Sequence, residues 1–97
     1  MQRARVTVRW NPGLHLRPAS GLVRLAQRFS SEIRLRMGNT FADARSILGV
    51  VLLGAVMGMP IDVEASGEDE RDAIGAVQDY FDGGSDGIDL PGGQAPT

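Results

Sequence analysis

Residues 3–19 read Arg3-Ala4-Arg5-Val6-Thr7-Val8-Arg9-Trp10-Asn11-Pro12-Gly13-Leu14-His15-Leu16-Arg17-Pro18-Ala19. The stretch up to Trp10 alternates, with Ala4, Val6, Val8 and Trp10 on one side and Arg3, Arg5, Thr7 and Arg9 on the other. That is the period of a strand with one wet face. Asn11-Pro12-Gly13 breaks the pattern with three turn residues, and the chain resumes with a helical period. Pro18 suits the first helical turn, because its missing N–H would have had no partner there. Ala19, Leu22, Val23, Ala26 and Phe29 recur at i, i+3, i+4 and i+7 as a core stripe, while Arg17, Gly21, Arg24 and Arg28 form a basic face opposite. His15 stands at the helix start.

Working outward, Glu32 to Met37 alternates again with Ile33, Leu35 and Met37 inward, Gly38-Asn39 turns the chain, and Thr40 to Ala42 returns as a hairpin. Ser46 is a natural N-cap for the apolar stretch from Ile47 to about Val56, read as a short helix, although its Val and Leu content also suits a strand. Pro60 to Ser66 alternates once more, and Ser66-Gly67-Glu68-Asp69 opens a last helix with capping and first-turn acids. Ala73, Ile74, Val77, Tyr80 and Phe81 are its buried stripe. The order β-α-β-β-α-β-α predicts an α+β fold, with helices on one face of a small, largely antiparallel sheet and an arginine-bearing sheet face toward solvent. The domain spans residues 1–82. From Gly83 to Thr97 five of fifteen residues are glycine and two are proline, a composition expected to form a loose tail.

The whole chain has 97 residues, 42% of them hydrophobic, a net charge of −2 and no cysteine. One domain of this size buries roughly 60–70% of the surface its unfolded chain exposes. Disulfides, thiolate nucleophiles, Cys-based zinc sites and Fe–S clusters are excluded, which fits a reducing cytoplasm. The longest mostly apolar stretch, Ile47 to Met59, is 13 residues, short of the roughly 20 a membrane-spanning helix needs. The N-terminus carries no apolar run followed by a small-residue cleavage site, so no export signal is expected. Residues 1–46 hold nine arginines against Glu32 and Asp43, whereas residues 47–97 hold Arg71 against ten acids. A basic face on an acidic protein follows. Arginine supplies all ten basic side chains, a bias that genome composition explains, although arginine is also the better fork for phosphate.

Gly13-Leu14-His15-Leu16-Arg17-Pro18 sets a lone imidazole just before a first helical turn. An anion on that ring would meet free backbone N–H groups and the positive end of the helix dipole. Pro18 has no N–H, so the donors of Leu16 and Arg17 are the natural backbone ligands, and the Arg17 guanidinium can reach the same anion. Histidine is an uncharged nucleophile near neutral pH and forms a high-energy N–P bond, so the arrangement suits a transient phosphohistidine. No acid/base partner or metal cluster accompanies it, which argues against independent turnover, and no cofactor or metal is expected. The plainer reading of His15 is a surface or capping histidine. Arg24 and Arg28 read either as a solvated helix face or as a landing strip for acidic partners. Ser46 reads either as a plain N-cap or as a regulatory phosphorylation site, since a dianion at a helix N-terminus is favoured by the dipole. Ile47, Leu48, Val51 and Leu52 read either as core or as a partly exposed sticky patch.

Asn11-Pro12-Gly13-Leu14-His15-Leu16-Arg17-Pro18-Ala19 and Arg45-Ser46-Ile47-Leu48-Gly49-Val50-Val51-Leu52-Leu53-Gly54 resemble the two signatures of HPr, the histidine-containing phosphocarrier of the bacterial sugar phosphotransferase system, at matching spacing. The resemblance covers about residues 2–82, including Ala65-Ser66-Gly67-Glu68-Asp69-Glu70 before the last helix. It implies an open-faced β-sandwich with three helices on a four-stranded antiparallel sheet. It also implies phosphorylation of His15 through Nδ1, phosphoryl stabilisation by Arg17, and a Pro18 that shapes the helix start. Ser46 falls where family members carry the serine modified by HPr kinase/phosphorylase in some bacteria. Arg24, Gln27, Ile47 and Leu48 match positions that dock enzyme I, the donor, and the enzyme IIA acceptors; Val51 and Leu52 extend that apolar strip. Arg45 in place of a common lysine, Leu16 in place of a smaller residue and the Gly/Pro tail depart from the pattern. The leading expectation is a monomeric cytoplasmic relay in sugar uptake. A second is a regulatory module of the same fold, acting by protein binding through Ser46 to Leu52 or in a nitrogen-type relay. A nucleic-acid-binding domain is disfavoured, because only Trp10 offers an aromatic near the arginines and no nucleic-acid motif is present.

Overall fold

The computed structural model describes residues 1–83. The elements run β1 (Gln2–Thr7), α1 (Leu16–Ala26), β2 (Glu32–Met37), β3 (Thr40–Asp43), α2 (Ile47–Leu52), β4 (Pro60–Ser66) and α3 (Glu70–Asp82). The strands form one four-stranded sheet of order β1-β4-β2-β3, antiparallel throughout. Strand alternation decides the layers. Val6, Ile33, Leu35, Ala42, Ile61, Val63 and Ala65 are buried on the helix-covered face, and register sets the arginines of the other face beside acids. Arg3 and Arg34 oppose Glu64, and Arg5 and Arg36 oppose Asp62. Arg5 and Arg36 contact the Asp62 carboxylate at 2.8 and 3.1 Å, and the hydrogen bond from Arg5 is the main cause holding that carboxyl below its ordinary range. These exposed pairs fix register more than they stabilise the fold.

Three helices cover the inner face, as the sequence predicts, and the buried stripe of α3 falls on the expected residues. Helix α1 touches both α2 and α3, so a wider arc of it is buried than its strongest stripe suggests. Gly21, assigned to the basic face, is buried along with Pro18 and Leu25, while Val23, assigned to the core, is only half-buried. Arg17, Arg24 and Arg28 do lie exposed.

Strand β1 ends at Thr7 rather than Trp10 and α1 at Ala26, short of Phe29, and two further element ends differ from expectation. Helix α2 stops at Leu52 rather than near Val56, because Gly54 takes a left-handed φ of 69° that reverses the chain after one and a half turns. The following residues run back along the start of α1, where Val56 pairs with Gly13. At α3 the N-cap is Asp69, yet its carboxylate makes no capping bond. It accepts from the Ser30 and Ser31 N–H groups, both at 2.9 Å, and from the buried Ser31 hydroxyl. Glu70 instead turns back to accept from Gly67 N–H at 3.0 Å. Three donors aimed at one carboxylate, the Ser31 hydroxyl foremost, hold the Asp69 carboxyl down at about 2. The pair clamps the loop between α1 and β2 to the start of α3. The expected tail lies outside the described residues apart from Gly83, which ends α3 with a φ of 95°.

Candidate functional site

His15 is the N-cap of α1, with an extended backbone (φ −87°, ψ −169°) and a side chain that makes no capping hydrogen bond. Its carbonyl accepts from Ala19 N–H at 2.9 Å, opening the helical ladder. The N–H groups of Leu16 and Arg17 therefore have no acceptor within the helix, and Pro18 has no N–H at all. His15, Leu16 and Arg17 are all exposed, whereas Leu14 and Pro18 on either side are buried. Burial of the flanks leaves a short exposed segment that carries the imidazole, the guanidinium and the first two amides of α1. An anion on the imidazole would sit at the positive end of an 11-residue helix.

The segment is held from behind by residues 55–59. Leu14 N–H donates to Ala55 O at 2.9 Å, Met57 N–H to Pro12 O at 3.0 Å, Gly58 N–H to Val8 O at 2.8 Å and Val8 N–H to Met59 O at 2.9 Å. Gly13 lies so close to this loop that a Cβ there would overlap the Ala55 carbonyl oxygen and stand 2.8 Å from Val56 Cα. Close approach, not an unusual dihedral angle, is what requires glycine at 13, because its φ is not among the left-handed ones. On the other flank the Tyr80 hydroxyl donates to Pro18 O at 2.8 Å. Neither support is visible in the motif itself.

Ser46 caps α2 as expected: its Oγ accepts from Gly49 N–H at 3.1 Å, and the side chain is exposed. Helices α1 and α2 contact one another. Between them they expose Arg24, Gln27, Ile47, Leu48 and Leu52, while Val51 is half-buried against the core. Leu48 and Leu52 are 66% and 72% exposed and Ile47 is exposed with them, so the sticky-patch reading fits these three and the core reading only Val51, while the core side of α2 is Val50 and Leu53. Sequence reasoning missed that Leu16, Val56, Met57 and Met59 add to the exposed apolar surface. The signal was present in Gly54 and Gly58, which bracket Ala55-Val56-Met57 as a loop instead of a helix end. Among the described residues no cluster of three or more His, Asp or Glu side chains could hold a metal ion, and no helix is long and apolar enough to cross a membrane.

Comparison with known proteins bears on this geometry directly. HPr-C-His from Thermoanaerobacter tengcongensis superposes with a TM-score of 0.81 at 35% identity, over 84% of this chain and 92% of that one. The phosphocarrier protein HPr from Bacillus anthracis gives 0.78 at 31% identity, over 82% of this chain and 95% of that one. Crh of Bacillus subtilis, a catabolite repression protein crystallised as a swapped dimer, gives 0.71 at 33% identity, over 87% and 97%. The family model described as the PTS HPr component phosphorylation site matches residues 2–82, every element from β1 to α3, and the chain belongs to that HPr family.

Proposed function

We propose that this protein is a phosphocarrier in which His15 accepts a phosphoryl group from phosphorylated enzyme I and passes it to enzyme IIA proteins in carbohydrate uptake. The observation that carries the reading is the exposed His15 at the N-terminus of α1, its side chain unused as a cap, beside the N–H groups of Leu16 and Arg17. His15 Nδ1 attacks phosphorus as the N–P bond on the donor histidine breaks, and the leaving imidazole keeps its electron pair. The three phosphoryl oxygens are met by the Leu16 and Arg17 amides and by the Arg17 guanidinium, which stabilise charge without proton transfer. In a second displacement a nucleophile of the acceptor protein attacks phosphorus as the His15 Nδ1–P bond breaks, and the His15 imidazole keeps the electron pair. Arg24, Gln27, Ile47, Leu48, Val51 and Leu52 dock both partners, an apolar strip beside a basic helix face that suits an acidic-rimmed apolar counter-surface.

Incubation with phosphoenolpyruvate and enzyme I from the same organism, followed by intact-protein mass spectrometry at mildly alkaline pH, tests the assignment. A single acid-labile phosphoryl gain that vanishes in His15→Ala is expected. A gain that survives the substitution would refute His15 as the acceptor.

A second reading is favoured by the likeness to Crh, whose name ties it to catabolite repression, together with the exposed Ser46. In it the protein acts chiefly by binding, with Ser46 phosphorylated by an HPr kinase/phosphorylase. Absence of any phosphoryl gain at His15, with gain at Ser46 on incubation with that kinase and ATP, would favour it.

A further inference from the structure

We propose that Tyr80 is a positioning residue for phosphoryl transfer at His15, acting from the buried side of α1 through the Pro18 carbonyl; the inference rests on the reading of His15 as the phosphoryl acceptor. Tyr80 lies on α3, is 2% exposed, and donates its hydroxyl to Pro18 O at 2.8 Å across 62 residues of sequence. Pro18 is the third residue of α1, so its carbonyl belongs to the same helical turn that carries the Leu16 and Arg17 N–H groups. The Tyr80 ring also stands 5.2 Å from the Trp10 ring, and Trp10 leads directly into the Asn11-Pro12-Gly13 turn. One buried side chain thus packs on the ring of the residue that leads into the His15 turn and bonds the first turn of the helix that leaves it.

His15 makes no capping bond that would fix the segment from the front. Its placement depends on backbone contacts behind, and residues 55–59 hold only the upstream side. The downstream side is held by Tyr80. A buried hydroxyl must keep a partner, which makes the Tyr80 to Pro18 spacing specific, and a small shift of that turn moves both amide donors relative to the phosphoryl oxygens.

Tyr80→Phe keeps the ring and removes the hydroxyl with its bond to Pro18 O. Phe81→Leu thins the same aromatic cluster, where Phe81 lies 5.1 Å from Trp10, without removing the bond to Pro18. Two readouts are taken on each full-length variant: kcat and KM for transfer from enzyme I, and backbone amide shifts of Leu16 and Arg17 on titration with inorganic phosphate. For Tyr80→Phe the expected result is a kcat lowered about ten-fold with KM unchanged, since the docking face is untouched, and phosphate affinity at the two amides lowered several-fold. Phe81→Leu should lose as much or more melting temperature while keeping both readouts near wild type. The proposal is overturned if Tyr80→Phe matches wild type in both readouts, or if Phe81→Leu reproduces the same losses, which would mark general loosening. A wild type that accepts no phosphoryl group would instead sink the carrier reading. The phosphate titration would then decide only whether Tyr80 positions the Leu16 and Arg17 amides, weaker binding sustaining that and equal binding refuting it.

Discussion

Replacing Gly13 by alanine separates the steric requirement of the His15 segment from its chemistry. The new Cβ would overlap the Ala55 carbonyl oxygen and lie 2.8 Å from Val56 Cα and 3.2 Å from the Ala55 carbonyl carbon. All three are backbone atoms, so no side-chain rotation relieves the contact and the two segments must part. Parting them stretches the two backbone bonds nearest the contact, Leu14 N–H to Ala55 O and Met57 N–H to Pro12 O. At about 0.5–1.5 kcal/mol net for each, that is a loss of about 1–3 kcal/mol. Alanine restricts the unfolded chain more than glycine does, which offsets about 0.4–1 kcal/mol. The net destabilisation is about 0–2.6 kcal/mol, centred at about 1.3 kcal/mol, or a fall in Tm of roughly 5–10 °C at that centre for a domain of this size. Displacement of the turn that bears His15 should also slow transfer from enzyme I by about ten-fold or more. Thermal unfolding followed by circular dichroism and a single-turnover transfer assay read the two effects. A Tm within about 2 °C of wild type, with an unchanged transfer rate, would refute the argument that residues 55–56 buttress the His15 segment.

The remaining expectations concern charge. Asp69 has its carboxyl held at about 2 in the folded state, below its unfolded value, so its contribution is fully present above about pH 4 and is lost as the pH falls through 2. The urea midpoint of wild type should therefore exceed that of Asp69→Asn near neutrality, and the gap should narrow at about pH 2.5; a gap that stays constant with pH would contradict the clamp between Asp69 and residues 30–31. Ser46→Ala removes the α2 cap to Gly49 N–H and should cost about 1 kcal/mol in chemical denaturation. Ser46→Asp keeps a capping oxygen but adds negative charge beside the docking strip, so transfer from enzyme I should slow with little stability change, and an unaltered rate would remove Ser46 from the regulatory account.

How much was legible in the sequence follows from the range of each interaction. Period-two runs around Val6, Leu35 and Val63 and the stripe Ala73 to Phe81 gave the strands and α3, because burial on one face leaves a local imprint whatever the partner element is. The N-cap positions of His15 and Ser46 were legible for the same reason, since capping is decided within three or four residues. Gly21 and Val23 were misassigned because α1 has two helical neighbours, and the direction of a second neighbour leaves no local period. Asp69 was legible as an acid at the opening of α3 but not as an acceptor for Ser30 and Ser31, which are 39 and 38 residues away. The loop 54–59 was masked by composition, since Val56 and Met57 look like the end of an apolar helix, and only Gly54 and Gly58 marked the break.

The same distinction explains how a site of so few groups can serve a relay. A carrier must accept a phosphoryl group and also surrender it, so ligands that bind the charged group strongly would raise the barrier to the second transfer as surely as they favour the first. An exposed segment offering two amides and one guanidinium, in contact with water, stabilises the group only moderately. Accuracy then has to come from geometry. The contacts that supply it are distant in sequence: the loop 55–59 on one flank, and on the other the buried Tyr80 bond to Pro18. Strengthening the front of the site and loosening its back should thus fail in different ways. An added cation near His15 should leave the first transfer intact and slow the second, whereas loss of a buttress should slow both by a similar factor. Measured separately with enzyme I and with an enzyme IIA, the two half-reactions distinguish these outcomes, and a buttress variant impaired in only one direction would refute the argument.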